Sequence, residues 1–271
     1  MIKDLLVSIC AICIGLLIIF PVLYCLTIAF KTRAELSVFP PHLLPNSFLN
    51  LENFRTVFLI APIMRFIFNS LIVAAMGSFL RISFAILAAY SFTYFNFRGK
   101  TLLFGIILAS MMFPAETLVV TNYLTILRFD MLDNYFAMTV TALVGASQMF
   151  MLRQNMKSIP MSFRDAALID GCGDLRYLFH IVFPFSRPVI MILLVQSFIS
   201  FWNAYLWPLL VTNRIEMRTV QIGVAMLTNP MDTNFTVVLA AVSIILIPSF
   251  IIFIFLRLVI VRGIESGALI S

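Results

Sequence analysis

The sequence predicts an all-α membrane protein with six transmembrane helices, and three observations lead there. Hydrophobic residues fill 62% of the 271 positions and charged residues only 11%, whereas a soluble domain carries about 25% charged residues. A chain this apolar cannot cover its surface with polar groups in water. Its apolar residues also fall into continuous runs of the roughly 20 residues that a helix needs to cross a bilayer. Finally, the runs do not alternate, and they far exceed the roughly 10-residue strands of an outer-membrane barrel.

Leu5 to Phe30 is the first run and holds no charge. It is too long for a signal-peptide core, and no clear small-residue cleavage site follows it. Cys10, Cys13 and Cys25 lie inside it. The C-x-x-C spacing of Cys10 and Cys13 lacks the polar surroundings of a redox or metal site, so these cysteines read as apolar filler. Lys31 to Arg65 follows as a long outer segment with Pro40, Pro41 and Pro45. It reads as an extended piece and then a short amphipathic helix, Asn50 to Ile60.

The second run, 66–97, is apolar except for Arg81, and the third, 101–127, except for Glu116. Runs 134–152, 189–213 and 236–256 are uncharged. Between the last two lies a second outer loop, Thr212 to Phe235, with Arg214, Glu216, Arg218 and Asp232. No repeat or linker interrupts the pattern, so residues 1–271 read as one membrane domain, with spans at about 5–30, 66–97, 101–127, 134–152, 189–213 and 236–256.

Six crossings leave both ends on one side. With the ends inside, the inner segments hold Lys3, Arg98, Lys100, Arg153, Lys157, Arg164, Arg176, Arg187, Arg257 and Arg262. The outer segments hold Lys31, Arg33, Arg55, Arg65, Arg128, Arg214 and Arg218. The inner excess places both termini in the cytoplasm. The formal charge of +6 suits such loops better than a nucleic-acid partner, because the basic residues are scattered singly along the chain and form no run to track a phosphate backbone.

Residues 158–188 form the cytoplasmic loop between the fourth and fifth spans, bracketed by Pro160 and Pro184. Ser162 is placed to cap a helix start, with Asp165 three residues on at the capping-box position. Ala166 and Ala167 favour a helix with little bulk. Gly171 can end it in a left-handed conformation. Leu175 to Phe183 then predicts a second helical piece with Leu175, Leu178, Phe179 and Val182 on one face, and Pro184 breaks the chain away before the fifth span.

The loop reads Asp165-Ala166-Ala167, three residues, Gly171, nine residues, then Ile181-Val182-Phe183-Pro184. That closely resembles the E-A-A-x3-G-x9-I-x-L-P loop of permease subunits in binding-protein-dependent ABC importers. Asp165 stands where the family has Glu, and Phe183 where it has Leu. The resemblance implies a type I ABC importer permease fold whose coupling helices sit in a cleft of an ATPase subunit. It makes Asp165, Ala166, Ala167, Asp170 and Gly171 the coupling set, positioned by Ile181 and Pro184. It also implies two cytoplasmic ATPase subunits, a second permease in a heterodimer, an external or periplasmic solute-binding protein, and a bacterial inner or plasma membrane around the chain.

No G-x-x-x-x-G-K-[ST] run occurs, so ATP chemistry belongs to a partner. No catalytic, cofactor or metal set is expected. The only histidines, His42 and His180, lie far apart: His42 reads as an exposed outer-loop residue and His180 as part of the cytoplasmic loop. A membrane-embedded enzyme is therefore disfavoured.

Ionisable groups inside spans tend to face a cavity or a partner. Glu116 either lines a translocation path or is structural, forming an ion pair with Arg81 or, like Arg81, lying at the membrane interface. In the fifth span Gln196, Ser200 and Asn203 recur along one face, with Trp202 and Tyr205 beside them, which suits a sugar. The alternative is an interfacial aromatic belt with helix-packing amides. The run F-W-N-A-Y-L-W-P and the V-R-G-I of Val261–Ile264 look like carbohydrate-uptake permeases, in particular the maltose-type smaller chain. Met112–Glu116 and Asp170–Arg176 are also similar to the glycerol-3-phosphate permease. The resemblance thus implies a sugar or sugar-like solute. Glycerol-3-phosphate is one alternative, and a scaffold half-permease with no solute contact is another.

Overall fold

The computed structural model describes the backbone of residues 2–228 and 234–268, with side chains described from 7 to 254 apart from 115 and 229–233. Every regular element among the described residues is helical. Asp232 lies outside the described residues, as do the side chains of the V-R-G-I run.

Four helices are long and apolar enough to cross a membrane: Val7–Ala29, Ile63–Tyr94, Asp174–Trp202 and Phe235–Ile254. They correspond to the first, second, fifth and sixth predicted spans. The first belongs to α1 (Ile2–Ala29), whose side chains from Val7 to Phe20 are almost all exposed. Leu17, at 74% exposed, is typical of a surface that suits hydrocarbon and not water. The free cysteines Cys10 and Cys13 share that exposed surface.

The outer segment after α1 follows the expected plan of an extended piece and a short helix. A one-turn helix, α2 (Arg33–Leu36), carries a complete capping box in which Thr32 and Glu35 exchange backbone bonds. The amphipathic helix is α3 (Glu52–Ile60), and His42 is exposed as anticipated. α4 (Ile63–Tyr94) is the second span.

The segments predicted as the third, fourth and fifth spans depart from single helices. The third is α5 (Lys100–Ser110), a turn, a 3-10 segment (Ala115–Leu118) and α6 (Val119–Arg128). Pro114, with extended backbone, marks the interruption, since proline supplies no N–H to continue a helix. The fourth is α7 (Ala137–Val140), a break, and α8 (Ala146–Lys157), which starts after an extended Gly145. The loop helix α9 (Met161–Ile169) is followed by α10 (Asp174–Tyr177).

A π segment (Leu178–Val182) joins α10 to α11 (Phe183–Trp202) without a break. The expected interruption at Pro184 is therefore corrected. Phe183 N–H donates to Leu178 O, five residues back, so Pro184, which has no N–H, is accommodated by a locally wider helix. The helix is interrupted instead at Asn203–Tyr205, before α12 (Leu206–Val211). α13 (Val220–Met226) and α14 (Phe235–Ala268) complete the chain.

The chain divides into two compact units, Met1–Ile67 with Val220–Ile251, and Phe68–Thr219 with Ile252–Ser271. In the first, Asn53 is the organising polar group. Its Nδ2 donates to Ala29 O and Lys31 O, both at 2.8 Å, and its Oδ1 accepts from Thr236 Oγ1 at 2.8 Å. One amide thus satisfies carbonyls at the end of α1 and fixes the start of α14. Nearby, Lys31 is buried, with its ammonium donating to His42 O. In the second unit Asn69 does the same work. It is fully buried, donates to Glu216 O (2.7 Å) and Arg218 O (2.8 Å), and accepts from Tyr135 Oη (2.8 Å).

Asn53→Ala would take the Asn53 donor from two carbonyls, while the Thr236 hydroxyl would keep only Asn234 Oδ1. Each unsatisfied buried group costs about 1–3 kcal/mol. The expected outcome is a clear drop in thermal midpoint in neutral detergent, with Asn53→Asp also destabilised because it keeps the acceptor and loses both donors.

Candidate functional site

The loop helix α9 starts differently from expectation. Pro160 occupies the N-cap position and no side chain caps the start, so Ser162 is the second helical residue and not the cap. The end matches the reading of Gly171. Gly171 has φ +68°, and it donates to Leu168 O at 3.1 Å while Cys172 donates to Ala167 O at 2.8 Å. This pair of bonds is a Schellman closure, which favours glycine at the left-handed position.

Around that turn the side chains sort by burial. Asp165, Ala166, Asp170 and Gly171 are exposed, and so are Leu168 and Ile169, the latter at 86%. Ala167 is buried and belongs to the internal core with Tyr177, Leu178 and Val182. Ile181 is half-buried against that core, and Pro184 is exposed. The expected single apolar face of Leu175, Leu178, Phe179 and Val182 is not formed. Leu178 and Val182 are buried while Leu175 and Phe179 are exposed. The π segment shifts the helical register between the members of that set. His180 is exposed, with Nδ1 3.1 Å from Arg176 O.

One residue the sequence left unremarked holds this hairpin together. Arg164 Nη2 lies 3.0 Å from Asp174 Oδ1, joining α9 to α10. Its Nη1 donates to Tyr90 Oη at 3.2 Å, and Tyr90 Oη lies 3.2 Å from Asp174 Oδ1. The guanidinium also sits 5.1 Å and 5.5 Å from the ring centroids of Tyr94 and Tyr177. Burial pushes the Arg164 guanidinium down, but the hydrogen bonds to Tyr90 and Asp174 outweigh it and hold it above the ordinary arginine value. Both arms of the hairpin are thereby fastened to the end of α4.

A second site lies where the interrupted helices meet. A cavity of about 240 Å³ is lined by Arg81, Glu116, Asn122, Thr141, Ser200 and Trp207, among others. The breaks in all three interrupted spans contribute to it: Glu116 beside Pro114, Thr141–Ala142 before Gly145, and Ala204 between α11 and α12. Non-helical backbone at membrane depth is tolerated only where protein buries it or it lines a wet cavity.

Side chains meet the freed carbonyls there. Arg81 Nε donates to Ala142 O at 2.6 Å, and Trp207 Nε1 to Ala137 O at 3.0 Å. The Arg81 guanidinium lies 4.3 Å from the Phe201 ring centroid. Of the two readings for Arg81 and Glu116, the ion pair is not formed. Arg81 commits its Nε to Ala142 and its face to Phe201, and Glu116 is exposed on the cavity wall.

The other fifth-span candidates are not all brought together. Ser200 lines the cavity. Gln196 and Tyr205 are exposed and are not among its lining residues, and Trp202 is buried, stacked on Phe198 at 6.2 Å. Asn203 is the exposed C-cap of α11. The sequence reading missed Asn122, Thr141 and Trp207 as lining residues. The proline and glycine of the adjacent breaks were the available signal for the first two. No group of His, Cys, Asp and Glu suited to a metal occurs among the described residues.

Three comparisons bear on this architecture. The profile of the family described as binding-protein-dependent transport system inner membrane component matches residues 81–264. The sn-glycerol-3-phosphate transport system permease protein UgpE of Escherichia coli O1:K1 is 30% identical over 258 residues, covering 92% of each chain. The arabinooligosaccharides transport system permease protein AraQ of Halalkalibacterium halodurans is 28% identical over 261 residues, 94% of this chain and 92% of AraQ. Among solved structures, a chain of a bacterial ABC transporter involved in the import of the acidic polysaccharide alginate shares the fold. Its TM-score is 0.81 at 20% identity, over 94% of this chain and 95% of that one.

Two expected outcomes test the geometry. If Arg164 and Tyr90 act as one clamp, Arg164→Ala and Tyr90→Phe will be non-additive. Their coupling energy should fall at about 0.5–3 kcal/mol in detergent unfolding, against near zero for independent sites. At Gly77, an added Cβ would lie 2.7 Å from the Phe201 ring. Gly77→Ala should therefore cost about 1–3 kcal/mol through overpacking, and Phe201→Leu in the same chain should recover part of the lost thermal midpoint.

Proposed function

The chain belongs to the family of binding-protein-dependent transport system inner membrane components, and from that premise we propose how it works as a permease half of an ATP-driven importer. Residues 1–271 act as one permease domain that crosses the membrane six times, the third and fourth crossings being made by the interrupted helices. Both termini face the cytoplasm. ATP hydrolysis belongs to separate ATPase subunits. A second, related permease completes the translocation unit, and a solute-binding protein delivers the cargo.

The observation that carries the coupling role is the exposed tip of α9. Leu168, Ile169, Asp170 and Gly171 stand out from a hairpin whose base is clamped by Arg164. Exposed apolar side chains at a polar turn suit a groove on a partner, because burying one residue such as Ile yields about 1.5–3 kcal/mol. In this reading Asp165, Ala166, Asp170 and Gly171 are contact residues. Ala167, Ile181 and Pro184 set the hairpin's seat on the protein. Closure of the ATPase pair pushes on the tip, and the clamp passes the displacement to α4 and α11.

The cargo is a sugar or sugar-like solute. UgpE and AraQ, named for a phosphorylated polyol and for arabinooligosaccharides, bracket that class. The cavity supports direct contact, against a pure scaffold role. It offers hydrogen-bonding groups from Glu116, Asn122, Thr141 and Ser200 and an aromatic face from Trp207, the mixture a polyhydroxylated ligand needs. Gln196, Trp202, Asn203 and Tyr205 contribute more remotely, along the same helix and its end. A second reading, glycerol-3-phosphate, is favoured by Arg81, which lines the cavity with no carboxylate bonded to it among the described residues.

Ile169→Glu should weaken attachment of the ATPase subunits by roughly ten- to a hundredfold, the equivalent of one lost buried side chain. Gly171→Val should have a similar effect by straining the left-handed turn, while Gly171→Asn, which tolerates that conformation, should retain coupling. Co-purification of the ATPase chain and uptake per ATP hydrolysed report both. Normal uptake by a stably inserted Ile169→Glu chain would remove the coupling role from this turn.

A further inference from the structure

Basic residues that are far apart in the sequence meet at the end of α4. Arg153 Nε donates to Phe92 O at 3.2 Å, and Lys100 Nζ donates to Phe95 O at 2.8 Å. Both cations thus serve the carbonyl-rich C-terminal end of α4, a favourable place for positive charge. Lys157 lies one turn beyond Arg153 on α8, the spacing that puts two side chains on one face. Arg98 is exposed in the turn just before Lys100. α5 packs against α8, which brings the two pairs together.

The α4 carbonyls do not account for the whole cluster. Arg98 and Lys157 make no hydrogen bond or ion pair among the described residues, and Arg153 and Lys100 form no ion pair there either. The Lys100 ammonium is held below its ordinary value by burial, then by the charges of Arg153 and Lys157, with no acidic group offsetting them. Cations packed this way favour an anion. Directly along α5 the surface turns apolar: Leu102 and Ile106 are 69% and 56% exposed, and Leu103, one turn from Lys100, is 47% exposed. The Arg153 guanidinium lies over Phe104, 4.1 Å from its centroid, and the residue is half-buried.

We propose that Arg98, Lys100, Arg153 and Lys157 bind the phosphate of an anionic phospholipid, whose acyl chains lie along Leu102, Leu103 and Ile106 of α5. A free phosphate fits the cations alone. An anionic amphiphile fits both the charge and the apolar strip beneath it, as basic pockets between membrane helices do elsewhere. The site is independent of the coupling hairpin and of the solute cavity.

The test uses the full chain in neutral detergent, with native mass spectrometry of lipid retained from mixed micelles of phosphatidylglycerol or phosphatidylcholine. Wild-type protein should retain phosphatidylglycerol about tenfold better, the effect of one to two surface charges at about 1 kcal/mol each. Arg98→Gln with Lys157→Gln, which removes no side-chain bond among the described residues, should bring the two lipids close to parity, and Arg153→Gln should weaken the preference further. Arg55→Gln with Arg128→Gln, the same change in net charge elsewhere, should leave it intact. Equal retention of both lipids by the wild type would overturn the proposal, as would an unchanged preference in the Arg98/Lys157 variant. So would inorganic phosphate that binds the chain on its own and displaces the lipid at equal concentration.

Discussion

A backbone carbonyl released by a broken helix has no water to turn to inside a bilayer, and much of this structure answers that constraint. The breaks at Thr141–Gly145 and Asn203–Tyr205 would be costly in bare hydrocarbon. Arg81 and Trp207 meet carbonyls of the fourth span directly. Asp133 accepts from the N–H groups of Asn213 and Arg214, both at 2.8 Å, just past the end of α12. Polar side chains in this chain are therefore placed mainly by where helices fail, and the cavity is the space those failures share.

The same logic separates the two functional regions. The cavity is built from interrupted elements, which leave backbone and side-chain polarity facing inward. The α9 hairpin is built from short, complete elements with a closed C-terminus and a charged clamp at the base. Its base is held by the Arg164–Asp174 pair, and its tip presents exposed Leu168 and Ile169 beside the exposed carboxylates Asp165 and Asp170. In the proposed function the first would meet a hydrated cargo and the second a protein surface.

Much of this was legible in the sequence, and the failures have physical causes. Hydropathy located the long helices and the outer amphipathic helix, because length and apolarity are local properties. Gly171 was read correctly because a left-handed turn leaves a residue-type signature. Hydropathy reports apolarity and not continuity, so the interruption at Thr141–Gly145, where Gly145 is the one conformational cue, went unseen. Pro184 was misread because a wider helical turn absorbs the missing N–H, and nothing local encodes that. The Arg164–Tyr90 bond spans 74 positions, and the basic cluster joins residues some fifty positions apart. Side chains that meet only through tertiary packing carry no periodic signal, which is why singly scattered cations in the sequence became a patch in space.

Gly77 shows how far such dependence reaches. The residue has no side-chain chemistry and is not among the residues that line the cavity. The Phe201 ring nevertheless occupies the place where its Cβ would be, and Arg81 rests on that ring. The charge belongs to arginine, yet its position is inherited from a missing methyl group. A survey of polar residues would rank position 77 last, although the placement of the charge at the cavity wall is written there as an absence.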